Sequence, residues 1–88
     1  MPEIYRKWRN QLYYYLKDRI KGRLMIEIND DTASLYLRVD DDHGRFERGI
    51  FELDKMMLTG SFDYKKQGKW FLNQYKRWIL SRYIREES

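Results

Sequence analysis

In "RLMIEIN" and in "ASLYLRV" every second residue is a large aliphatic: Leu24, Ile26 and Ile28, then Leu35, Leu37 and Val39. Side chains on a strand point alternately to two sides, so each run has one apolar and one polar face. A sheet made from them has a single face to bury, and whatever helices the chain forms must gather on that face. "NDDT" (Asn29–Thr32) is the turn between the two strands, and "DDDHG" (Asp40–Gly44) leads into a third run, "RFERGIFEL". There the alternation changes phase. Phe46 and Ile50 share one parity and Phe51 and Leu53 the other, and Gly49 at the break predicts a β-bulge or a strand end.

Helical periodicity flanks this meander. Ile4, Trp8, Leu12, Leu16 and Ile20, with Tyr15 beside them, form one stripe at three- and four-residue spacing. Pro2 and Glu3 suit its first turn, Lys21 suits its last, and Gly22 is the expected left-handed stop. The polar side of that helix shows Lys7, Gln11, Tyr14, Lys17, Asp18 and Lys21. A second long helix begins between Asp63 and Lys69, with Phe71, Leu72, Tyr75, Trp78, Ile79 and Tyr83 on its apolar side. Residues 54–62 fit either a short helical turn, capped by Asp54 and closed by Gly60, or a fourth strand; the turn is the preferred reading. The expected fold is one α+β domain over residues 1–88: long helix, three-stranded antiparallel meander, long helix, with both helices on one face of the sheet.

So short a chain has little interior, and aromatic rings must supply much of it. Eight Tyr, four Phe and three Trp serve that end. Cysteine is absent, so neither a disulfide framework nor thiolate chemistry is available, which fits a reducing, cytoplasmic setting. Charges run throughout "MPEIYRKWRNQLYYYLK", so it reads as neither a secretory signal nor a membrane span.

Chemistry is sparse. His43, the one histidine, sits among Asp40, Asp41 and Asp42, but neighbouring turn residues point apart and cannot converge as base, orienting carboxylate and nucleophile. "DDDHG" lacks the alternate oxygen ligands and distant glutamate of a calcium loop. No phosphate loop, nucleophile motif or zinc spacing occurs. The expectation is a protein that is not an enzyme, with no metal and no cofactor.

Charge is segregated instead. Residues 1–23 and 64–88 together carry fourteen basic and four acidic side chains, a net +10, while residues 24–63 sum to −6. "YKKQGKWFLNQYKRWILSRYIR", Tyr64 to Arg85, holds seven Lys or Arg, six aromatics and no acid. Away from its apolar stripe this helix carries Trp70, Asn73, Arg77, Leu80 and Ile84. Apolar groups on both sides of a helix predict a partner surface, a homodimer included, with Trp70 and Arg77 as anchors. Lys65, Lys66, Lys69, Lys76 and Arg77 are candidates for phosphate contacts, with exposed rings such as Trp70 for stacking on bases.

Helix, three strands and a helix opened by "KKQGK" resembles the double-stranded-RNA-binding domain, which implies that Lys65, Lys66 and Lys69 grip phosphates across the RNA major groove. The order of elements, with "ASLYLRVDDDHGRF" as middle strand, turn and third strand, is also similar to small phage anti-CRISPR proteins that inhibit type II Cas9. That resemblance implies a Cas9-type partner whose motif-reading site is occupied by acidic side chains imitating DNA phosphates: here Asp40, Asp41 and Asp42, with Asp30 and Asp31 behind them. Because this chain is basic overall, such an inhibitor can also set the basic helix against guide RNA or an acidic protein patch. The leading expectation is therefore a small phage-type inhibitor or interaction protein acting on a nucleic-acid-handling complex. The alternative is a module that binds nucleic acid directly through the C-terminal helix.

Overall fold

The computed structural model describes residues 2–87, with side chains described through residue 82. The elements follow in the order α1 (Glu3–Leu16), β1 (Arg23–Asn29), β2 (Ser34–Asp41), β3 (Gly44–Ile50), α2 (Leu53–Thr59) and α3 (Tyr64–Glu87). The strands form an antiparallel sheet in sequential order, with Ile26 opposite Leu37 and Val39 opposite Phe46. That register places Ile26, Leu35, Leu37, Val39, Phe46 and Ile50 on one face, all buried, and α1 and α3 lie together over it. Met25, Glu27, Tyr36, Arg38, Arg45 and Glu47 face the other way, by the same register, and no helix among the described residues covers them.

Tyr5, Trp8, Leu12 and Leu16 are the buried stripe of α1. Arg9 donates from Nε to the Ile26 carbonyl at 3.0 Å, tying the helix to the edge strand β1. The helix stops at Leu16, a turn earlier than its periodicity suggests, and neither Lys21 nor Gly22 belongs to its end. Ile20 is still buried, but a turn rather than the helix carries it inward. Gly22 does not have positive φ; the glycines that do are Gly44 and Gly60. Its role is close approach, because a Cβ there would stand 2.8 Å from both the Asp40 carbonyl oxygen and Val39 Cγ1.

The phase change in β3 lies at Glu52, not at Gly49. Gly49 pairs regularly with Tyr36, and the strand runs on to Ile50. Phe51 keeps the outward parity and folds its ring back over Gly49, in the space a Cβ would occupy. Glu52 then takes φ 63, a left-handed conformation that turns Leu53 into the core. The Leu53 amide donates to the Ala33 carbonyl at 2.9 Å, securing the start of α2 to the β1–β2 turn. Residues 54–62 thus hold a helix and not a fourth strand; Glu52 rather than Asp54 occupies the cap position, and Gly60 closes the helix at φ 66.

Asp63 opens α3, its Oδ1 accepting from the Lys65 amide at 2.9 Å. Phe71, Leu72 and Tyr75 are buried, with Trp78 and Ile79 packed half-buried against them. Gly68 lets α3 approach α1, since a Cβ would stand 2.6 Å from the Tyr15 ring. Farther up, Trp8 of α1 stacks on Phe62 at 4.3 Å. No helix among the described residues is long and apolar enough to cross a membrane.

Candidate functional site

The core side of α3 is set by Phe71, Leu72 and Tyr75, so helical geometry sends Lys65, Lys66, Lys69, Trp70, Asn73, Lys76, Arg77 and Leu80 outward. All eight are exposed, Trp70 at 40% and Leu80 at 63%. Ile84, expected on the same face, lies outside the residues whose side chains are described, as does Tyr83 of the apolar stripe. The outward face is basic along its length and has no acidic partner on its own helix before Glu86.

The first turn of α3 is unusual in its electrostatics. A helix N-terminus carries about half a positive charge and favours acidic side chains. Here the first turn has none, and Lys65, Lys66 and Lys69 crowd that end. The adjacent carboxylate, Asp63, is engaged in capping. Lys65 and Lys66, inside that first turn, each cost about 0.3–1 kcal/mol relative to a neutral residue at low salt, and Lys69 lies one turn farther on. A chain of this size holds little stability in reserve, and this end of α3 is set against the helix dipole.

The β2–β3 hairpin distributes its aspartates over different surfaces. Asp40 points to the outer face of the sheet, where Arg45 Nε bonds its Oδ1 at 3.2 Å. Arg38 Nε stands 3.2 Å from Asp40 Oδ2, out of line for a hydrogen bond, so the contact is an ion pair alone. Asp41 points inward; it accepts from the Tyr75 hydroxyl on one oxygen and from the His43 amide, at 2.7 Å, on the other. Asp42 stands exposed at the turn, and Asp30 and Asp31 are exposed at the opposite hairpin. The three hairpin aspartates therefore present no single patch of carboxylates. Among the described residues there is no group of three or more His, Asp or Glu suited to hold a metal ion.

Burial, then the hydrogen bond and charge of Asp41, push the Tyr75 hydroxyl well above its ordinary value near 10. A raised tyrosine pKa adds stability that is fully present below the unfolded value, about 10, and is lost as pH climbs through the folded one. Tyr75→Phe should therefore be less stable than the parent by about 1.5–3 kcal/mol at neutral pH, the worth of a hydrogen bond to a charged group. The gap should narrow above pH ~10. Urea melts at pH 7 and 10.5 would check this, and a gap that does not change with pH would show that Tyr75 donates nothing to Asp41.

Two grooves flank the seam where α1 meets α3. One, of about 680 Å³, is lined by Arg6, Lys7, Tyr14 and Tyr15 of α1 and by Tyr64 of α3, with Glu3 at its margin. The other, of about 540 Å³, is lined by Arg19, Lys21, Arg23, Tyr75 and Lys76 together with the hairpin aspartates. Ten of the fourteen basic residues at the two ends of the chain belong to α1 and α3, and the other four, Lys17, Arg19, Lys21 and Arg23, lie between α1 and the start of β1, while the acidic middle lies mainly in the sheet, its turns and α2. Sequence reading alone singled out the α3 lysines and did not place Arg6, Lys7 and Tyr14 in one groove with Tyr64. The signal was present in the seven basic and two acidic residues of positions 1–23.

No protein-family model, curated protein or solved structure matches this chain.

Proposed function

We propose that this is a non-catalytic binding protein whose helical layer engages nucleic acid through its phosphates. The observation that carries the reading is the cluster of Lys65, Lys66 and Lys69 at the N-terminal end of α3, exposed, without acidic neighbours on the helix and electrostatically unfavourable to the isolated fold. Lys76 and Arg77 extend the same positive surface along the helix. A cytoplasmic location belongs to this reading. Fluorescence anisotropy with labelled RNA and DNA, at low and near-physiological salt, tests it. Affinity should fall steeply with salt, and Lys65→Ala/Lys66→Ala/Lys69→Ala should weaken binding about ten- to hundred-fold. The same variant should flatten the salt slope by about two to three, roughly one for each phosphate that is no longer neutralised. Absence of binding at low salt, or a triple variant that binds like the parent, defeats the proposal.

A second reading is favoured by the apolar groups on that same face. Trp70 and Leu80 stay exposed beside Arg77, the combination of ring and guanidinium that anchors protein interfaces. It supports an inhibitor of a nucleic-acid-handling complex, of the anti-CRISPR kind, that uses α3 against guide RNA or protein. Phosphate imitation by Asp40–Asp42 is the less supported form, because Asp40 and Asp41 are engaged inside this chain. Retention on immobilised Cas9–guide complex that is lost in Trp70→Ala and in Arg77→Ala would decide for this reading. Retention unaffected by either would decide against α3 as the surface.

A further inference from the structure

We infer that the groove between α1 and the start of α3 is a base-stacking site, and that the nucleic acid it takes is single-stranded. The inference rests on the phosphate-binding reading above and adds the chemical form of the ligand.

The groove offers rings and cations together, which is the combination that single strands require. An unpaired strand exposes the flat faces of its bases as well as its phosphates, and aromatic side chains stack on those faces with little regard to sequence. A duplex hides the same faces between neighbouring base pairs, leaving only phosphates for a basic surface. Tyr14 is 63% exposed and stands on the α1 wall. Tyr64 is half-buried on the α3 wall, one residue before the Lys65–Lys66 pair.

Between them Tyr15 serves as a brace, not as a platform. Gly68 packs against its ring, and the Arg19 guanidinium lies over the ring at 4.0 Å. Arg19 is itself held by a 2.6 Å hydrogen bond to the Tyr15 carbonyl. Tyr64 meets Tyr15 edge-on, at 5.9 Å and 74°, so the wall residue is oriented before any ligand arrives. Pre-set rings lose little freedom on binding, and tyrosine has few rotatable bonds to lose.

Cations stand beside the rings. Arg6 and Lys7 line the groove, and the Lys17 ammonium lies over one face of the Tyr14 ring, 4.9 Å from its centre, so a base stacks on the opposite face. Glu3 is the one carboxylate among the lining residues, at the first turn of α1. At about 680 Å³ the groove falls within the ~300–1,000 Å³ of sites that take a small organic molecule, which suits a nucleotide unit entering from an open side.

The test uses the full chain with labelled twelve-residue oligo(dT) and oligo(U), and a twelve-base-pair duplex, at low salt. Parent protein, Tyr14→Ala, Tyr14→Phe and the Lys65/Lys66/Lys69 triple alanine variant are compared. Tyr14 is so exposed that neither of its replacements endangers the fold. Single strands should bind at least about tenfold tighter than duplex, and Tyr14→Ala should lose about tenfold on single strands while leaving duplex affinity unchanged. Tyr14→Phe keeps the ring and should stay within about twofold of the parent. If Tyr14→Ala binds single strands like the parent while the lysine variant weakens every ligand, stacking is overturned and phosphate binding stands. If no oligonucleotide binds the parent protein at all, the phosphate reading falls and takes this inference with it.

Discussion

Phe46→Ala is expected to melt at least about 12 °C below the parent, and to populate unfolded chain at physiological temperature. Phe46 is 1% exposed on β3, and its ring lies 5.4 Å from that of Phe71, 5.6 Å from Tyr75 and 5.5 Å from Trp78. This four-ring cluster is where the edge strand β3 meets α3. Truncating a buried phenylalanine costs about 3–5 kcal/mol, from lost transfer energy and from the cavity left among rigid rings. That is a large share of the roughly 5–15 kcal/mol that holds a domain folded. Each kcal/mol moves the midpoint by about 4–8 °C in a chain of this size. Phe46→Leu, which retains most of the volume, should recover more than half of the loss. Thermal melts followed by circular dichroism would measure both, and an alanine variant within about 1 kcal/mol of the parent would mean that β3 is not held through this ring.

Gly22→Val should also destabilise the fold, although position 22 is a connecting residue. The clash it creates is with β2, main chain included: the Asp40 carbonyl oxygen and the Val39 side-chain Cγ1 both lie 2.8 Å from the site of the new Cβ, and Asp41 Cβ lies at 3.0 Å. A branched side chain must therefore push β1 away from β2 at the Arg23–Asp40 pair and disturb the neighbouring Asp41–Tyr75 bond. Overpacking of this kind costs about 1–3 kcal/mol, and sometimes more. Gly60→Ala is the informative comparison, because a Cβ at Gly60 meets nothing within 4 Å and only its φ of 66 resists substitution. If Gly22 acted as a left-handed stop, both positions would respond alike, by about 1 kcal/mol. Close approach instead predicts that Gly22→Val falls well below Gly60→Ala, with faster amide exchange at Arg23 and Asp40.

Those two glycines mark what local pattern conveys. Gly60 follows a helix and closes it, as its place in "MMLTG" suggests. Gly22 follows an equally helical pattern, yet its role depends on β2, far along the chain, which no local spacing can reveal. Ile20 misled in the same way, sitting four residues after Leu16 and buried, but reached by a turn. The meander was legible because alternation is imposed by the strand itself, and the phase change after Ile50 was visible although its agent, Glu52, was not. A non-glycine residue with positive φ leaves no compositional trace. The candidate site divides likewise. The outward lysines of α3 can be placed from helical spacing alone, whereas the Tyr14–Tyr64 groove exists only because Gly68 allows two helices to meet.

Sequential strand order has a consequence for how the protein is made. Each strand pairs with its neighbour in the chain across a short turn, a local pairing that takes microseconds once both strands are free. The helix that seals its inner face along β3 is the last element in the chain. Until it docks, Phe46 and its neighbours on the inner face lack the side chains that bury them. A chain without α3 in place is a sheet with one wet and one incompletely covered side, the form in which it is most open to chaperones and to its own copies.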